Sequence, residues 1–465
     1  MLEFVNYSLK QLKQYASIIQ ESPFLCNDIS LGSFLIWHPG QNLQFATYHN
    51  TFIVKMNIGD EPAFSYPYGD DVDGAIDALI EYVKANDLPL VFWGIDEKRL
   101  GMIEEDKRFH TVHANYDRRW SDYLYSFEEM VSFKGRKFSK QRNHINKFKS
   151  LYGEPDLRGI SEEDLPAIRE LLDEYRVTHA GNKVEENELQ GNDRILEHFQ
   201  ELGLYGVVLY VQDKAVAFSI GEIVGNMLIV HVEKALTQYS GVYPTVFNSF
   251  MRYMQSRKGE SIQIVNREDD AGDLGLRTSK IRYKPICLLN KYIVRIDSPV
   301  REVPVLHFEG GVLNAIQEED KKEYYELNTD RDNNQYWGYD YEEDVSITDL
   351  TESTFYDSQA FDHSVGASMN FAVRKREDSE LIGETIIYHF TKNGKAEIGG
   401  RIARKWQQNG LGTKAFAATA DYAQNELHLK VRAKCFKQNE PSYHMIMAAG
   451  FHIIGEDETF YYFAR

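Results

Sequence analysis

The sequence predicts an α/β (α+β) protein of mixed sheets flanked by helices, arranged as three similar modules. Two stretches carry this. Residues 205–266 run as three strand-like segments, "LYGVVLYVQ", "KAVAFSIGEIV" and "NMLIVHVEKA", followed by the helical pattern "YPTVFNSFMRYMQS" and the short strand "SIQIVN". The same order returns from residue 369 as "MNFAVRKRE", "ELIGETIIYHF", "KAEIGGRIA", the helix "GTKAFAATADYAQNEL" and the strand "KVRAKCF". A helix from about Pro441 and two strands ending in "TFYYFAR" close the chain.

Helical segments precede both stretches, "EEDLPAIRELLDEYRV" before the first and "VLNAIQEEDKKEYYEL" before the second. The opening 120 residues read as a third, more divergent version, with "TFIVKMNI" and "LPLVFWGI" as strands around the helix "DDVDGAIDALIEYVKAN".

At 465 residues the chain is long enough for two to four domains, and 43% hydrophobic with 13% aromatic residues suffices for packed cores. The start, "MLEFVNYSLKQLKQYASIIQ", has no basic, apolar leader pattern, and no stretch approaches the roughly 18 apolar residues that cross a bilayer. A cytoplasmic protein without a transmembrane segment is expected. Cys26, Cys287 and Cys435 are far apart and match neither a disulfide framework nor a metal-ligand spacing, so free, buried thiols and no metal are expected.

A net charge of −19 argues against coating nucleic acid through a global field. Residues 301–350 hold 14 Asp/Glu and 4 Lys/Arg, a shift that marks a domain change near residue 300. The expected domains are 1–297, with halves of about 1–125 and 126–297, and 302–465.

Within the last domain, "WQQNGLGTKAF" follows a strand and opens a helix. Gly410 and Gly412 permit a tight turn and close approach, and a helix start offers unpaired N–H donors to an anion such as a pyrophosphate. Downstream, "QNEPSYHMIMAAGF" sets Asn439 three residues before Ser442. Together with Gln407, these residues make 302–465 similar to the GNAT N-acetyltransferase superfamily, especially its branch acting on ribosomal-protein N-termini and related amines. The resemblance implies acetyl-CoA as cofactor, held by the loop Gln407, Gln408, Asn409, Gly410, Leu411, Gly412 and Thr413, with Asn439 and Ile402 alongside. It implies an amine acceptor: a small molecule, a peptide or a protein N-terminus.

Amine acetylation needs a base for the ammonium proton and an acid for the leaving thiolate. Glu397, in the strand before the loop, is placed to be the base through a water, or is a solvated strand carboxylate. Many family members carry a tyrosine as the acid where Ile446 stands; the resemblance to the N-terminal-amine branch implies Ser442 in that role, and the alternative is a hydroxyl bonded to a free N–H of its helix.

In the earlier version the corresponding loop is "LTQYSGVYPTVF". Gln238 and Gly241 align with Gln407 and Gly410, but Tyr243 replaces Gly412 and Pro244 removes a donor. Acetyl-CoA is not expected here. Nearby, "GRKFSKQRNHINKF", "AFSIGE", "HVEKA" and "VNREDDAGDLGLRTSKIRYKP" make residues 1–297 resemble the soluble C-terminal domain of bacterial phosphatidylglycerol lysyltransferases, also found as a stand-alone domain of unknown function. That resemblance implies paired GNAT-like halves and transfer of an aminoacyl group from charged tRNA. Candidate site residues are Glu233, Lys234, Asn266, Arg267, Glu268, Arg277 and Lys280, with a structural ion-pair network as the alternative for the charged ones.

Residues 134–149 carry seven Lys/Arg and no acid. Phe138, Ile145 and Phe148 can pack while Lys137, Lys140, Arg142 and Lys147 stay outside, as a grip for tRNA or another polyanion or as a solvated basic face. The expected activity is acetyl-CoA-dependent N-acetyl transfer fused to an aminoacyl-tRNA-dependent-transferase-like half, or to a non-catalytic half that binds tRNA, peptide or a small molecule.

Overall fold

A computed structural model describes the chain apart from residues 1, 60, 179–182, 301, 343–349 and 378, and apart from the side chains of 38–40, 178 and 183–188. Its described strands form three mixed sheets, of seven, seven and eight strands. Each is built on one plan. Three antiparallel strands lead into a helix, and the strand after the helix pairs in parallel with the third.

The strands are Gln44–Tyr48, Thr51–Ile58 and Glu61–Phe64 in the first module, Tyr205–Val211, Lys214–Val224 and Met227–Ala235 in the second, and Ser368–Arg374, Gly383–Tyr388 and Lys395–Ile402 in the third. The helices are Val72–Ala85, Val242–Lys258 and Leu411–Asn425, and the parallel strands are Leu90–Ile95, Ile264–Asn266 and Lys430–Phe436. The opening residues are thus a third version of the repeat.

Local chemistry explains the elements. The Asp71 carboxylate accepts from Gly74 N and caps the first helix, which buries Ala75, Ile76, Leu79 and Val83 at helical spacing. Ser368–Arg374 is buried along its whole length and is correspondingly apolar in its middle.

Three expectations are corrected. The first two modules are not divided at 125/126, because Asp122–Ser126 pairs with Ile264–Asn266 in the second sheet while Tyr292–Ile296 returns to pair with Leu90–Ile95 in the first. Residues 312–315 are not helical: Gly311–Ala315 pairs with Ser368–Arg374, and the helix Lys321–Thr329 starts only after the Gln317–Asp320 capping box. Cys26 and Cys435 are buried, but Cys287 is exposed.

The N-terminal modules and the last one touch. Asn115 Nδ2 donates to Ser364 Oγ at 2.7 Å, Ser298 Oγ donates to Gly366 O at 2.8 Å, and Lys392 pairs with Asp297. Among the described residues no helix is long and apolar enough to cross a membrane.

Candidate active site and its N-terminal counterpart

In the third sheet Lys395–Ile402 and Lys430–Phe436 pair only at Lys395↔Lys430, Ala396↔Val431 and Glu397↔Arg432. Beyond Glu397 each strand keeps its outer neighbour but not the other, so a cleft opens between their C-terminal ends. Such a crevice is where open α/β sheets hold ligands.

On one lip, Gly410 has φ 78° and begins the helix Leu411–Asn425 without a side-chain cap. Leu411 N is taken by Asn409 Oδ1 at 3.1 Å, while among the described residues the N–H groups of Gly410, Gly412 and Thr413 have no acceptor. Gly410 is favoured by its left-handed backbone, and at Gly412 the space is tight: a Cβ there would stand 3.2 Å from Ile402 Cγ1 and 3.6 Å from Met445 Sδ. This cradle suits a pyrophosphate. Gln407 acts indirectly, since its Nε2 donates to Ile402 O at 2.9 Å and Asn333 Oδ1 at 2.7 Å and so ties the loop down. Gln408 is exposed with φ 63°, and the Leu411 side chain lies in the core.

On the other lip, Asn439 Oδ1 accepts from Ser442 N at 3.2 Å and caps the helix Glu440–Ala448. Asn439 is therefore the capping group, and the half-buried Ser442 hydroxyl has no partner among the described residues.

Glu397 is half-buried, its side chain 25% exposed. Its Oε2 is out of contact with solvent and without a hydrogen bond, with His389 Nδ1 at 3.6 Å and Lys434 Nζ at 3.8 Å as ion-pair neighbours. Burial acts to raise its pKa, but His389, Lys434 and Tyr388 outweigh it and hold the carboxyl below its ordinary value. His389, Tyr388 and Lys434 were not legible as site residues, although strand alternation puts Lys434 on the face of Arg432, the register partner of Glu397.

The second module repeats the divergence, pairing Met227–Ala235 with Ile264–Asn266 only as far as Ile229↔Asn266. Its loop is closed. Gly241 has φ 86°, and a Cβ there would meet the His144 carbonyl oxygen at 2.2 Å, because the helix Ser139–Tyr152 lies across it. Burial pushes the Tyr243 phenol well above its usual range, and Tyr152 OH accepts from Ser240 N at 3.3 Å.

Residues 26–295, more than half the chain, match the family model described as phosphatidylglycerol lysyltransferase, C-terminal. The chain belongs to this family. Residues 312–452 match the family model described as acetyltransferase (GNAT) domain. A conserved protein of unknown function from Bacteroides thetaiotaomicron VPI-5482 is 27% identical over 64% of this chain and all of its own, with a TM-score of 0.58. A GNAT-family acetyltransferase from Bacillus anthracis is 20% identical over 35% of this chain and 98% of its own, with a TM-score of 0.30. The uncharacterized protein MYCGA3080 of Mycoplasmoides gallisepticum is 23% identical over 177 residues, 38% of this chain. The chain spans about half, 56%, of that curated relative.

In the lysyltransferase-family part, the charged residues named from sequence fall into separate groups. Arg267 lies against the edge-to-face pair Phe247 and Tyr283, with its Cζ 4.2 and 4.6 Å from their ring centres, and donates to Glu233 Oε1 at 2.9 Å. Arg267 Nη1 and Glu233 Oε2 are buried without hydrogen-bond partners. Lys280 donates to Arg267 O at 2.6 Å and to Asp269 O. Lys234 instead lies over the Tyr175 ring at 4.9 Å. Arg277 is committed to Asp270, a buried carboxylate also bonded by Tyr123 and Arg118. Asn266 Nδ2 donates to Asp122 Oδ2 at 2.8 Å and Leu25 O at 2.9 Å.

Glu268 meets a residue not singled out from sequence. His231 is held between Glu268 Oε1 and Glu222 Oε1, each 2.8 Å from a ring nitrogen, and these carboxylates outweigh burial to raise its pKa to about 9. The quoted strands "AFSIGE" and "HVEKA" contained Glu222 and His231, yet only the antiparallel pairing of those strands brings the two together.

Phe138 and Phe148 of the basic segment are buried and Ile145 packs beside them. Lys140 and Lys147 are exposed without ion-pair partners among the described residues, whereas Lys137 pairs with Glu129 at 2.5 Å. Arg142 is not on the outer face: its guanidinium donates to the carbonyls of Phe133 and Gly135 and secures the turn before the helix.

Proposed function

We propose that the C-terminal cleft transfers an acetyl group from acetyl-CoA to an amine, in the cytoplasm, with a small molecule, a peptide or a protein N-terminus as the acceptor. The divergence of the two parallel strands after Glu397↔Arg432, with unpaired helix-start N–H groups on one lip, carries this reading. The N–H groups of Gly410, Gly412 and Thr413 would hold the pyrophosphate, and Ile402 would line the pantetheine arm. Bound there, acetyl-CoA supplies the activated acyl group. Glu397, ionised at neutral pH because its cationic neighbours outweigh burial, takes a proton from the acceptor ammonium, directly or through a water. Ser442, with an uncommitted hydroxyl on the opposite lip, can give a proton at Oγ.

Titration calorimetry of the full chain with CoA should find one site, and labelled acetyl-CoA in cell extract should mark the acceptor. Absence of CoA binding would end this reading.

The N-terminal part is read as an aminoacyl-tRNA-dependent transferase. A second reading makes it a non-catalytic module for tRNA, peptide or a small molecule. The His144 carbonyl against Gly241 favours the second, since it sets a hydrogen-bond acceptor beside a loop whose C-terminal counterpart offers open space for an anion.

A further inference from the structure

Asp87 follows the first-module helix Val72–Ala85 and adopts φ 56°. Its carboxylate points out of that module. Oδ2 accepts from Lys395 Nζ at 2.8 Å and Arg432 Nη1 at 3.0 Å, and Oδ1 accepts from Thr391 Oγ1 at 3.1 Å. Alongside, Asn393 Nδ2 donates to Lys84 O at 2.6 Å and Lys392 N to Leu88 O at 3.3 Å. The N-terminal part therefore grips the turn between Gly383–Tyr388 and Lys395–Ile402, the turn that carries His389.

Both cations held by Asp87 belong to the surroundings of Glu397. Lys395 lies two residues before it on the same strand, hence on the same face, and Arg432 is its register partner. The other groups facing Glu397 are His389 at 3.6 Å, Lys434 at 3.8 Å, and the phenols of Tyr388 and Tyr462. Tyr462 is itself bonded to Asp457. Two basic groups thus neighbour this carboxylate and two more share its face of the sheet, and those two are engaged by Asp87.

We propose that Asp87 is a positioning residue for the acetyl-transfer cleft: by holding Lys395 and Arg432 it keeps two cations off Glu397, so the N-terminal part sets how strong a base the C-terminal cleft contains. The proposal rests on the reading of Glu397 as that base. Cations near a carboxylate stabilise its ionised form and weaken it as a proton acceptor. Losing the Asp87 charge removes a nearby anion and frees two long side chains, and both effects act in that direction.

The test is a pH titration of the Glu397 carboxyl by 13C NMR in the full chain, without substrate, assigned with Glu397→Gln. In Asp87→Asn, which keeps a residue tolerant of positive φ, the midpoint should fall by about 0.5 on the pH scale. Asp87→Glu should keep the wild-type midpoint, and adding Lys395→Gln and Arg432→Gln to Asp87→Asn should bring it back up. A merely structural role would loosen the interface and let Glu397 rise toward its ordinary value. A rise or no change in Asp87→Asn overturns the proposal. Acetylation assays on the same proteins separate the two ideas, since a falling midpoint in a chain that transfers no acetyl group would remove the base reading instead.

Discussion

Gly412 and Ile402 pack together on one lip of the C-terminal cleft, with 3.2 Å between Ile402 Cγ1 and the point where a Cβ on residue 412 would stand. Met445 Sδ closes the other side at 3.6 Å. A methyl at 412 therefore asks Ile402 to give by a few tenths of an ångström and meets Met445 at ordinary contact distance, whereas a tyrosine must displace both, which makes Gly412→Tyr a disruptive exchange and Gly412→Ala the informative one. Calorimetry should find CoA affinity reduced about tenfold in Gly412→Ala, with the thermal unfolding midpoint within a few degrees of wild type.

Removing the carboxylate in Glu397→Gln should lower the acetylation rate by roughly 10²- to 10⁴-fold at neutral pH. The sign of the pKa shift fixes the shape of the wild-type profile. With its pKa held below the ordinary glutamate value, Glu397 stays ionised through neutrality, so its protonation can limit the rate only in the acid range. A rise in rate around and above neutral pH reports the acceptor amine losing its proton, and Glu397→Gln should recover partly there. A profile identical in wild type and Glu397→Gln would show that another group takes the proton.

His231 gives a stability prediction of opposite slope. Its folded pKa of about 9 lies above the ordinary histidine value, so the stabilisation by Glu222 and Glu268 is complete below about pH 6.5 and is lost as pH rises through about 9. Denaturant unfolding of wild type against His231→Gln should show a gap on the order of 3 kcal/mol at pH 6 that narrows toward pH 10. A constant gap would mean that His231 is neutral and held by packing.

Exposed cations on the helix Ser139–Tyr152 and the turn before it supply the nucleic-acid test. Lys140 and Lys147 are unpaired, while Arg142 is bound to carbonyls and should be left intact. If this face grips tRNA, log affinity falls with log salt at about 0.7 to 0.9 per phosphate contacted. Charge reversal at Lys140 and Lys147 should weaken filter-bound tRNA and flatten that slope without changing CoA affinity. No retention of tRNA by wild type at low salt would remove the aminoacyl-tRNA reading.

By itself the sequence determined the three strands, helix and parallel strand of the second and third modules, the outline of the first, the glycine loop at 407–413 and the loss of that loop at 238–244, because apolar period and backbone tolerance are written residue by residue. The tertiary structure alone decided the exchange of Asp122–Ser126 and Tyr292–Ile296 between sheets, since a strand's partner is chosen by distant segments with no local mark. It also decided the closure of Gly241 by His144, the capture of His231 between two glutamates, and the neighbours of Glu397. Asp87 shows why: nothing in "KANDLPL" distinguishes it from an ordinary turn aspartate, and only the docking of two modules brings Lys395 and Arg432, more than 300 residues away, to its carboxylate.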